Sequence, residues 1–261
     1  MARFSANLTM LWPEIDDSYE RFRAAAAAGF THVERLFMHD LDPVRVGELL
    51  VELGLELVLF DPYPGDWTAG ERGLLGLPGR ESETREAVLV AIETARSLGV
   101  PQLNVLSGIV PIGVARSEAM ATAVRNLEVL APAAAEAGVS LLVEPINDLD
   151  WPGYAVPTVD SALQVVSAVG HQAVALQFDT YHVARAGSDP LKRVDETLSW
   201  IRHVQIADHP GRHQPGTGDL ELDRFVERLD ELGYDGFVGL EYIPEGPMVD
   251  ALAWLPMGAR G

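Results

Sequence analysis

The feature of this chain that most constrains its fold is a regular alternation of short apolar segments with longer amphipathic ones. Each apolar segment is bounded by turn or helix signals and predicts a buried strand. The two kinds of segment recur about every 30 residues, the length of one strand–helix–strand unit. The predicted strands span residues 3–8, 32–37, 56–61, 102–106, 140–144, 173–179, 201–206 and 237–242. The predicted helices span residues 18–28, 43–53, 81–98, 117–137, 159–169, 190–198 and 222–232.

Glycine follows six of these predicted helices, at positions 29, 54, 99, 138, 170 and 233. Glycine commonly ends a helix because it adopts the left-handed backbone conformation at no steric cost. The repeated order of helix, glycine, short linker and strand predicts successive βα units, and eight strands in this order predict an α/β fold of the (β/α)8 TIM barrel type. A doubly wound open sheet is the alternative. It is weakened because residues 7–12 contain no glycine-rich phosphate loop after the first strand.

The length of 261 residues and a hydrophobic content of 48% allow one large core. We therefore expect residues 1–261 to form a single TIM-barrel domain, although length alone also permits two domains. The chain contains no cysteine, which excludes disulfides, zinc–thiolate sites and a cysteine nucleophile.

The formal net charge of -20 argues against partners with negative surfaces, such as nucleic acids and anionic membranes. No apolar run approaches the ~18 residues of a membrane span, and the N-terminus lacks the long apolar segment of a signal peptide. Together with the absence of cysteine, these observations predict a cytoplasmic protein that acts on a small molecule, with neither nucleic acid nor membrane as a partner.

Four oxygen-bearing side chains each follow or end a different predicted strand: Glu144, Asp179, Gln205 and Glu241. The carboxyl ends of parallel barrel strands lie on one face, so these side chains can converge there. Three carboxylates would repel one another unless a cation or protons lay among them. Carboxylate and amide oxygens are the ligands of hard divalent ions, so the four residues predict a metal site for Mg²⁺ or Mn²⁺, with Co²⁺ also open.

The two glutamates of this set, Glu144 and Glu241, also predict proton transfer. One could remove a proton from the carbon beside a carbonyl, and the other could return it at the neighbouring carbon. The metal ion would hold the carbonyl and hydroxyl oxygens and stabilise the enediolate. A structural ion pair at the rim of the barrel is the alternative for Glu144.

Two further side chains predict contacts with a substrate. His182 lies just beyond the sixth strand and could donate a hydrogen bond to a substrate oxygen, although a lone histidine is more often a structural residue. Arg212 lies in a loop rich in turn-forming residues, 209–219, and could bind a carboxylate through two nitrogens, with a surface ion pair as the alternative. The long segment 62–79 carries several Gly and Pro residues and is predicted to form a loop over the mouth of the site.

These motifs together resemble the hydroxypyruvate isomerase family, within the wider xylose isomerase-like barrel superfamily. The resemblance covers nearly the whole chain, and its most specific parts are the Gly65-Asp66-Trp67 segment and the glycine-rich loop. The stretches that carry it are residues 3–8, 65–67, 69–73, 78–80, 144–147, 179, 181–182, 205–208, 210–218 and 241–242.

The resemblance implies a TIM barrel that catalyses an aldose–ketose type isomerisation. The family reaction converts hydroxypyruvate to tartronate semialdehyde (2-hydroxy-3-oxopropanoate), and a related branch acts on 2-oxo-tetronates. A homo-oligomer is common among such barrels. The roles implied by motif are proton transfer for Glu144 and Glu241, metal binding for Glu144, Asp179, Gln205 and Glu241, and substrate binding for His182, Arg212 and Asp150.

Position 205 separates subfamilies, because the sugar 3-epimerase relatives usually have His there, and Gln205 favours the hydroxypyruvate isomerase side. Other positions depart from the family pattern, among them Asp61, Ile109 and Ile243 where Asn, Lys and Lys are frequent. If these side chains face the pocket, they would weaken attraction for an acid. A 2-oxo-tetronate isomerase, an epimerase or isomerase for a neutral keto-sugar, and a non-catalytic sugar-acid binding protein therefore stay open as alternatives.

Overall fold

Eight parallel strands form a closed barrel in the computed structural model, which describes residues 2–261. Each strand is hydrogen-bonded to its neighbours in chain order, and β1 pairs with both β2 and β8. The predicted (β/α)8 barrel is therefore confirmed, and closure between β1 and β8 excludes the open sheet. The strands are β1 (Arg3–Asn7), β2 (His32–Phe37), β3 (Glu56–Asp61), β4 (Gln102–Asn104), β5 (Ser140–Val143), β6 (Val174–Asp179), β7 (Ile201–Ile206) and β8 (Phe237–Leu240).

Helices connect successive strands and pack against one another and the barrel. The seven predicted helices agree with the structure to within one residue at either end. Two short helices, α6 and α9, have no counterpart in the prediction, because four to six residues are too few to show a helical period. The helices are α1 (Ser18–Ala27), α2 (Pro43–Leu53), α3 (Glu81–Leu98), α4 (Arg116–Glu136), α5 (Val159–Val169), α6 (Thr180–Arg185), α7 (Pro190–Thr197), α8 (Leu222–Glu231) and α9 (Met248–Ala251).

The glycines that follow the predicted helices all have positive φ, as helix ends of this type require. Gly54, Gly99 and Gly170 are themselves the C-cap residues in the left-handed conformation. No helix within residues 2–261 combines the length and the apolar character needed to cross a lipid bilayer.

The alternation of side chains along β6 and β7 separates an apolar layer from a polar one. Phe178 and Val204 belong to the large apolar cluster that also contains residues of the outer helices. Their neighbours Gln177 and Gln205 are buried and hydrogen-bonded to each other at 2.6 Å. Successive residues of a strand point to opposite faces, so the polar residues of these strands collect inside the barrel near its carboxyl end.

Candidate active site

A cavity of about 160 Å³ opens at the carboxyl end of the barrel. Residues from several strand ends and from the loops beyond them line it, including Asp61, Glu144, His182, Gln205, Arg212 and Glu241. A larger groove of about 480 Å³ runs along α3 beside the loop after β2. The smaller cavity is the candidate site, because the buried titratable groups converge there and catalytic residues of TIM barrels lie at this face.

Arg212 pairs with two of the predicted metal-binding carboxylates. Its Nη2 lies 2.6 Å from Oε2 of Glu241 and 3.3 Å from Oδ2 of Asp179. The backbone of Arg212 has φ 58°, a left-handed conformation that costs a non-glycine residue about 1–2 kcal/mol. Its N–H donates to the carbonyl of Asp208, and its carbonyl accepts from the N–H of Ile243. The loop therefore fixes the guanidinium beside the carboxylates.

The three carboxyl groups that face this guanidinium hold protons more tightly than usual. Burial, reinforced by the charge of Asp179, raises the pKa of Glu144 to about 8. Burial also raises the pKa of Asp179, and it raises that of Glu241 well above the usual value despite the opposing charge of Arg212. Asn104 orients Glu144 by donating a hydrogen bond of 2.7 Å to Oε2. The single positive charge of Arg212 cannot neutralise three buried carboxylates. Protons on the carboxyl groups reduce the remaining negative charge.

Glu144 and Asp179, two of these carboxyl groups, fit a divalent metal ion. Ligand atoms of Glu144, Asp179 and His182 all lie within 4.8 Å of one another, and each of these residues is buried. The amide of Gln205 lines the cavity beside them. This donor set is mostly carboxylate and amide oxygen, which suits a hard cation. A cation would also stabilise the ionised carboxyl groups, which burial now keeps protonated.

His182 joins this group, and its hydrogen bonds identify which ring nitrogen carries the proton. The Asn147 side-chain oxygen accepts from the backbone N–H groups of Leu149 and Asp150, which fixes the amide orientation. The Asn147 nitrogen therefore donates to Nδ1 of His182 at 2.7 Å. Burial lowers the pKa of His182 well below its usual value, so the ring is neutral. A neutral ring that accepts at Nδ1 carries its proton on Nε2, so Nε2 is a donor and neither ring nitrogen offers a free lone pair to a metal ion.

Asp150, the weakest of the predicted substrate contacts, lies outside the cavity lining. Its Oδ1 is 3.3 Å from Nε of Arg185, and its Oδ2 accepts a hydrogen bond of 3.1 Å from Asn147. Asp150 therefore reaches the site through Asn147 and His182.

The three named departures from the family pattern differ in their placement. Asp61 is buried and lines the cavity. Ile109 forms a backbone bridge with Tyr154, and the side chain of Ile243 is about half exposed. Of these three positions, only Asp61 changes the chemistry of the cavity lining.

The segment 62–79 reaches the cavity as predicted. Trp67 lines it from this loop, and Trp151 lines it from the loop after β5. The two indole rings meet edge to face with centroids 5.6 Å apart, and the guanidinium of Arg72 lies 4.1 Å from the Trp67 centroid. These rings give one side of the cavity an apolar wall.

Sequence reasoning missed two buried carboxylates that organise the site. Glu34 lies on β2 and accepts hydrogen bonds from four side chains, one of which is Gln205. Asp208 accepts from five backbone N–H groups of the loop that carries Arg212. A charged residue inside a predicted buried strand was the available signal for Glu34, because an ionised side chain there requires partners.

Comparison with known proteins agrees with this geometry. The profile of the family described as xylose isomerase-like TIM barrel matches residues 22–256. A 2-oxo-tetronate isomerase of Cupriavidus necator is 40% identical over 255 residues, covering 98% of both chains. The hydroxypyruvate isomerase of Escherichia coli is 38% identical over 255 residues, again with 98% of both chains. The crystal structure of an AP endonuclease, family 2, from Brucella melitensis matches with a TM-score of 0.94 and 38% identity, covering 97% of this chain and 98% of that chain.

The predicted resemblance is confirmed by these relatives, two of which carry the names of isomerases and align from end to end. The matched region of the family profile contains Glu144, Asp179, Gln205 and Glu241. The chain belongs to the xylose isomerase-like TIM barrel family and, within it, to the hydroxypyruvate isomerase-like isomerases.

Proposed function

We propose that this protein interconverts hydroxypyruvate and tartronate semialdehyde by proton transfer between Glu144 and Glu241. The observation that carries the proposal is that both glutamates line one small cavity and have raised pKa values there. A carboxyl group with a raised pKa, such as Glu144 at about 8, can both accept and donate a proton during one turnover. The relatives named hydroxypyruvate isomerase and 2-oxo-tetronate isomerase support a small sugar acid as the substrate class.

In this mechanism one glutamate is ionised and the other is protonated when the substrate binds. The ionised carboxylate removes a proton from C3 of hydroxypyruvate, beside the C2 carbonyl. The protonated carboxyl group delivers a proton to C2, while the hydroxyl proton passes from O3 to O2, and the product is an aldehyde at C3. Asn104 keeps Glu144 aligned through its 2.7 Å hydrogen bond. The reverse reaction exchanges the two roles.

Glu144, Asp179, Gln205 and Glu241 are the residues that would hold the divalent ion, Mg²⁺ or Mn²⁺. When bound, the ion would supply positive charge to the carbonyl and hydroxyl oxygens of the substrate. Arg212 would then have less carboxylate charge to neutralise, which leaves its guanidinium available to the substrate. Its Nε is buried without a hydrogen-bond partner, as a donor awaiting an anionic ligand would be.

Substrate binding is assigned to His182 and Arg212, with Asp150 in an indirect role. His182 presents the Nε2 proton to a substrate oxygen, because Asn147 occupies Nδ1. Arg212 pairs with the substrate carboxylate, since guanidinium and carboxylate groups match in two-point geometry. Asp150 lies outside the cavity lining and supports the site by accepting a hydrogen bond from Asn147, which in turn donates to His182.

Replacement of either glutamate tests this function. Glu144→Gln and Glu241→Gln should each lower turnover of hydroxypyruvate by a factor of about 100 or more, because general acid–base catalysis is worth about 10²–10⁴-fold. Glu128→Gln is the matched control, since Glu128 is exposed on α4. Full activity of a folded Glu144→Gln protein would contradict the two-glutamate mechanism.

A four-carbon 2-oxo acid is the second candidate substrate, favoured by the 40% identity to a 2-oxo-tetronate isomerase. A neutral ketose is the third, favoured by Asp61 in the cavity lining. The cavity of about 160 Å³ favours the smaller acids, because it lies below the ~300 Å³ at which pockets for drug-sized ligands begin. Rates measured side by side on hydroxypyruvate, 2-oxo-tetronates and ketoses separate the three, and a ligand that binds without conversion would instead support a binding protein.

DNA is disfavoured as a substrate despite the match to an AP endonuclease, because a net charge of -20 opposes approach to phosphate groups. A cytoplasmic location and assembly as a homo-oligomer stay predictions.

A further inference from the structure

The carboxylate of Glu34 is the centre of a buried hydrogen-bond network behind the candidate site. Its Oε1 accepts from Nδ2 of Asn7 at 3.1 Å and from Nε2 of Gln205 at 2.9 Å. Its Oε2 accepts from Oγ of Ser5 and is paired with Nε2 of His203, both at 2.8 Å. Glu34 has no exposed surface. The partners Ser5 and Asn7 lie on the neighbouring strand β1, and His203 and Gln205 lie on β7 across the barrel.

This network determines which end of the Gln205 amide faces Glu34. An ionised carboxylate only accepts hydrogen bonds, so the amide must turn its NH₂ group toward Glu34. The amide oxygen then faces the other way, where it accepts from Nε2 of Gln177 at 2.6 Å. An amide oxygen has two lone pairs, and the hydrogen bond from Gln177 occupies one of them. The other remains available on the side of the cavity that Gln205 lines.

The surroundings of Glu34 hold its carboxylate in place. Hydrogen-bonding side chains face both of its oxygens, two at Oε1 and two at Oε2. Gly239 on β8 leaves the space that the carboxylate fills, because a Cβ at this position would come within 2.3 Å of Oε2. A residue larger than glycine at position 239 would therefore clash with the Glu34 carboxylate.

We propose that Glu34 is a positioning residue that holds Gln205 with its oxygen, rather than its nitrogen, toward the bound metal ion. The inference rests on the proposed function insofar as that function makes Gln205 a metal ligand. Glu34 itself touches neither the ion nor the substrate in this arrangement, and it acts only through Gln205.

The test is a double-mutant cycle in which Mn²⁺ affinity is measured by electron paramagnetic resonance on the full-length chain. Glu34→Gln should weaken Mn²⁺ binding by a factor of about 10–100, the usual effect of losing a partner of a metal ligand. In a Gln205→Ala background the same replacement should change the affinity less than about twofold, because its effect passes through Gln205. Ser5→Ala, which removes a different donor to the same carboxylate, is the matched control and should also stay within about twofold.

The outcomes separate this inference from the proposed function. If Gln205→Ala leaves Mn²⁺ affinity unchanged, the ligand set proposed above is wrong. If Gln205→Ala weakens binding but a folded Glu34→Gln protein does not, Glu34 has no positioning role. Equal losses from Glu34→Gln in both backgrounds would also overturn the inference, because they would show an effect independent of Gln205.

A measurement on the unmodified protein decides the question even if Glu34→Gln fails to fold. With selective ¹⁵N-glutamine labelling, the side-chain NH₂ protons of Gln205 should exchange slowly with solvent both before and after Mg²⁺ is added. Loss of this protection on Mg²⁺ binding would show that the amide turns away from Glu34, which would overturn the inference.

Discussion

The side chain of Asn147 donates a hydrogen bond of 2.7 Å to Nδ1 of His182 and thereby determines which ring nitrogen carries the proton. The orientation of Asn147 is fixed in turn by two backbone N–H groups, those of Leu149 and Asp150. A loop residue with no role in proton transfer thus decides that Nε2 of a buried histidine is a donor.

Replacing Asn147 with Asp should reverse this arrangement. An aspartate would accept from Nδ1, which moves the ring proton there and leaves a lone pair on Nε2 facing the cavity. We expect turnover to fall about tenfold or more, since losing the partner that orients a site histidine usually costs that much. The ¹⁵N chemical shifts of the ring should show protonated Nε2 in the original protein and protonated Nδ1 in the variant. Protonated Nδ1 in the original protein would contradict the assignment.

Replacing Gly239 with Ala should destabilise the barrel and disturb the site together. The added Cβ would lie 2.3–2.4 Å from both carboxylate oxygens of Glu34, which are held by four other side chains. Overpacking of a buried site costs about 1–3 kcal/mol, measurable as a lower free energy of unfolding in urea. Gly47→Ala is the control, because its Cβ would meet only the end of the Leu98 side chain at 3.2 Å, and alanine is the better helix former. Equal stability of the two variants would refute the predicted clash.

Replacing Asp61 with Asn should stabilise the metal-free protein, and increasingly so as the pH rises. Burial first, and then the charges of Glu144, Glu241 and Glu34, raise the pKa of Asp61 well above its usual value. Consider a carboxyl group whose pKa is higher in the folded state than in the unfolded state. It favours folding most when the pH is below its pKa in the unfolded state, and this contribution is lost as the pH rises toward its pKa in the folded state. The increase in the free energy of unfolding caused by Asp61→Asn should therefore be small near pH 4 and larger near pH 8, as measured by urea unfolding with a chelator present. A gain that shrinks as the pH rises would contradict this sign.

Metal affinity should increase with pH across the neutral range. The pKa of Glu144 is raised to about 8, so its carboxyl group is largely protonated below that pH and must lose its proton before it can bind a metal ion. Calorimetric titration with Mn²⁺ should accordingly show tighter binding at pH 8 than at pH 6, with protons released into the buffer. The thermal midpoint of unfolding should rise on Mn²⁺ addition, because a ligand at 100 times its dissociation constant adds about 2.7 kcal/mol to the free energy of unfolding. Affinity independent of pH would show that Glu144 is not a ligand.

The barrel and its site differ in how far the sequence could predict them. Helix ends were predicted closely because glycine and proline mark them locally, as at Pro43 and Gly54. Glu144, Asp179, Gln205 and Glu241 could be grouped because their places at the ends of parallel strands bring them to one face. The role of Glu34 could not be predicted, because its partner His203 lies 169 residues away and meets it only when the barrel closes. Asn147 was missed for a related reason, since its effect depends on which way an amide turns.

The departures from the family pattern also could not be interpreted from the sequence alone. The sequence shows that Asp61, Ile109 and Ile243 are unusual, but only the structure shows that Asp61 alone of the three lines the cavity. Whether a changed charge alters substrate choice depends on where its side chain points, and strand order alone does not give that direction.

The most direct test of the central claim is proton exchange followed by NMR. The protein, with Mg²⁺ or Mn²⁺ added, would be mixed with hydroxypyruvate in heavy water, beside the Glu144→Gln and Glu241→Gln variants and the Glu128→Gln control. We expect tartronate semialdehyde that carries deuterium at C2 from the unsubstituted protein and the control, and product formation slower by a factor of about 100 or more in either site variant. Undiminished product and deuterium incorporation in both site variants would contradict proton transfer by this pair of glutamates.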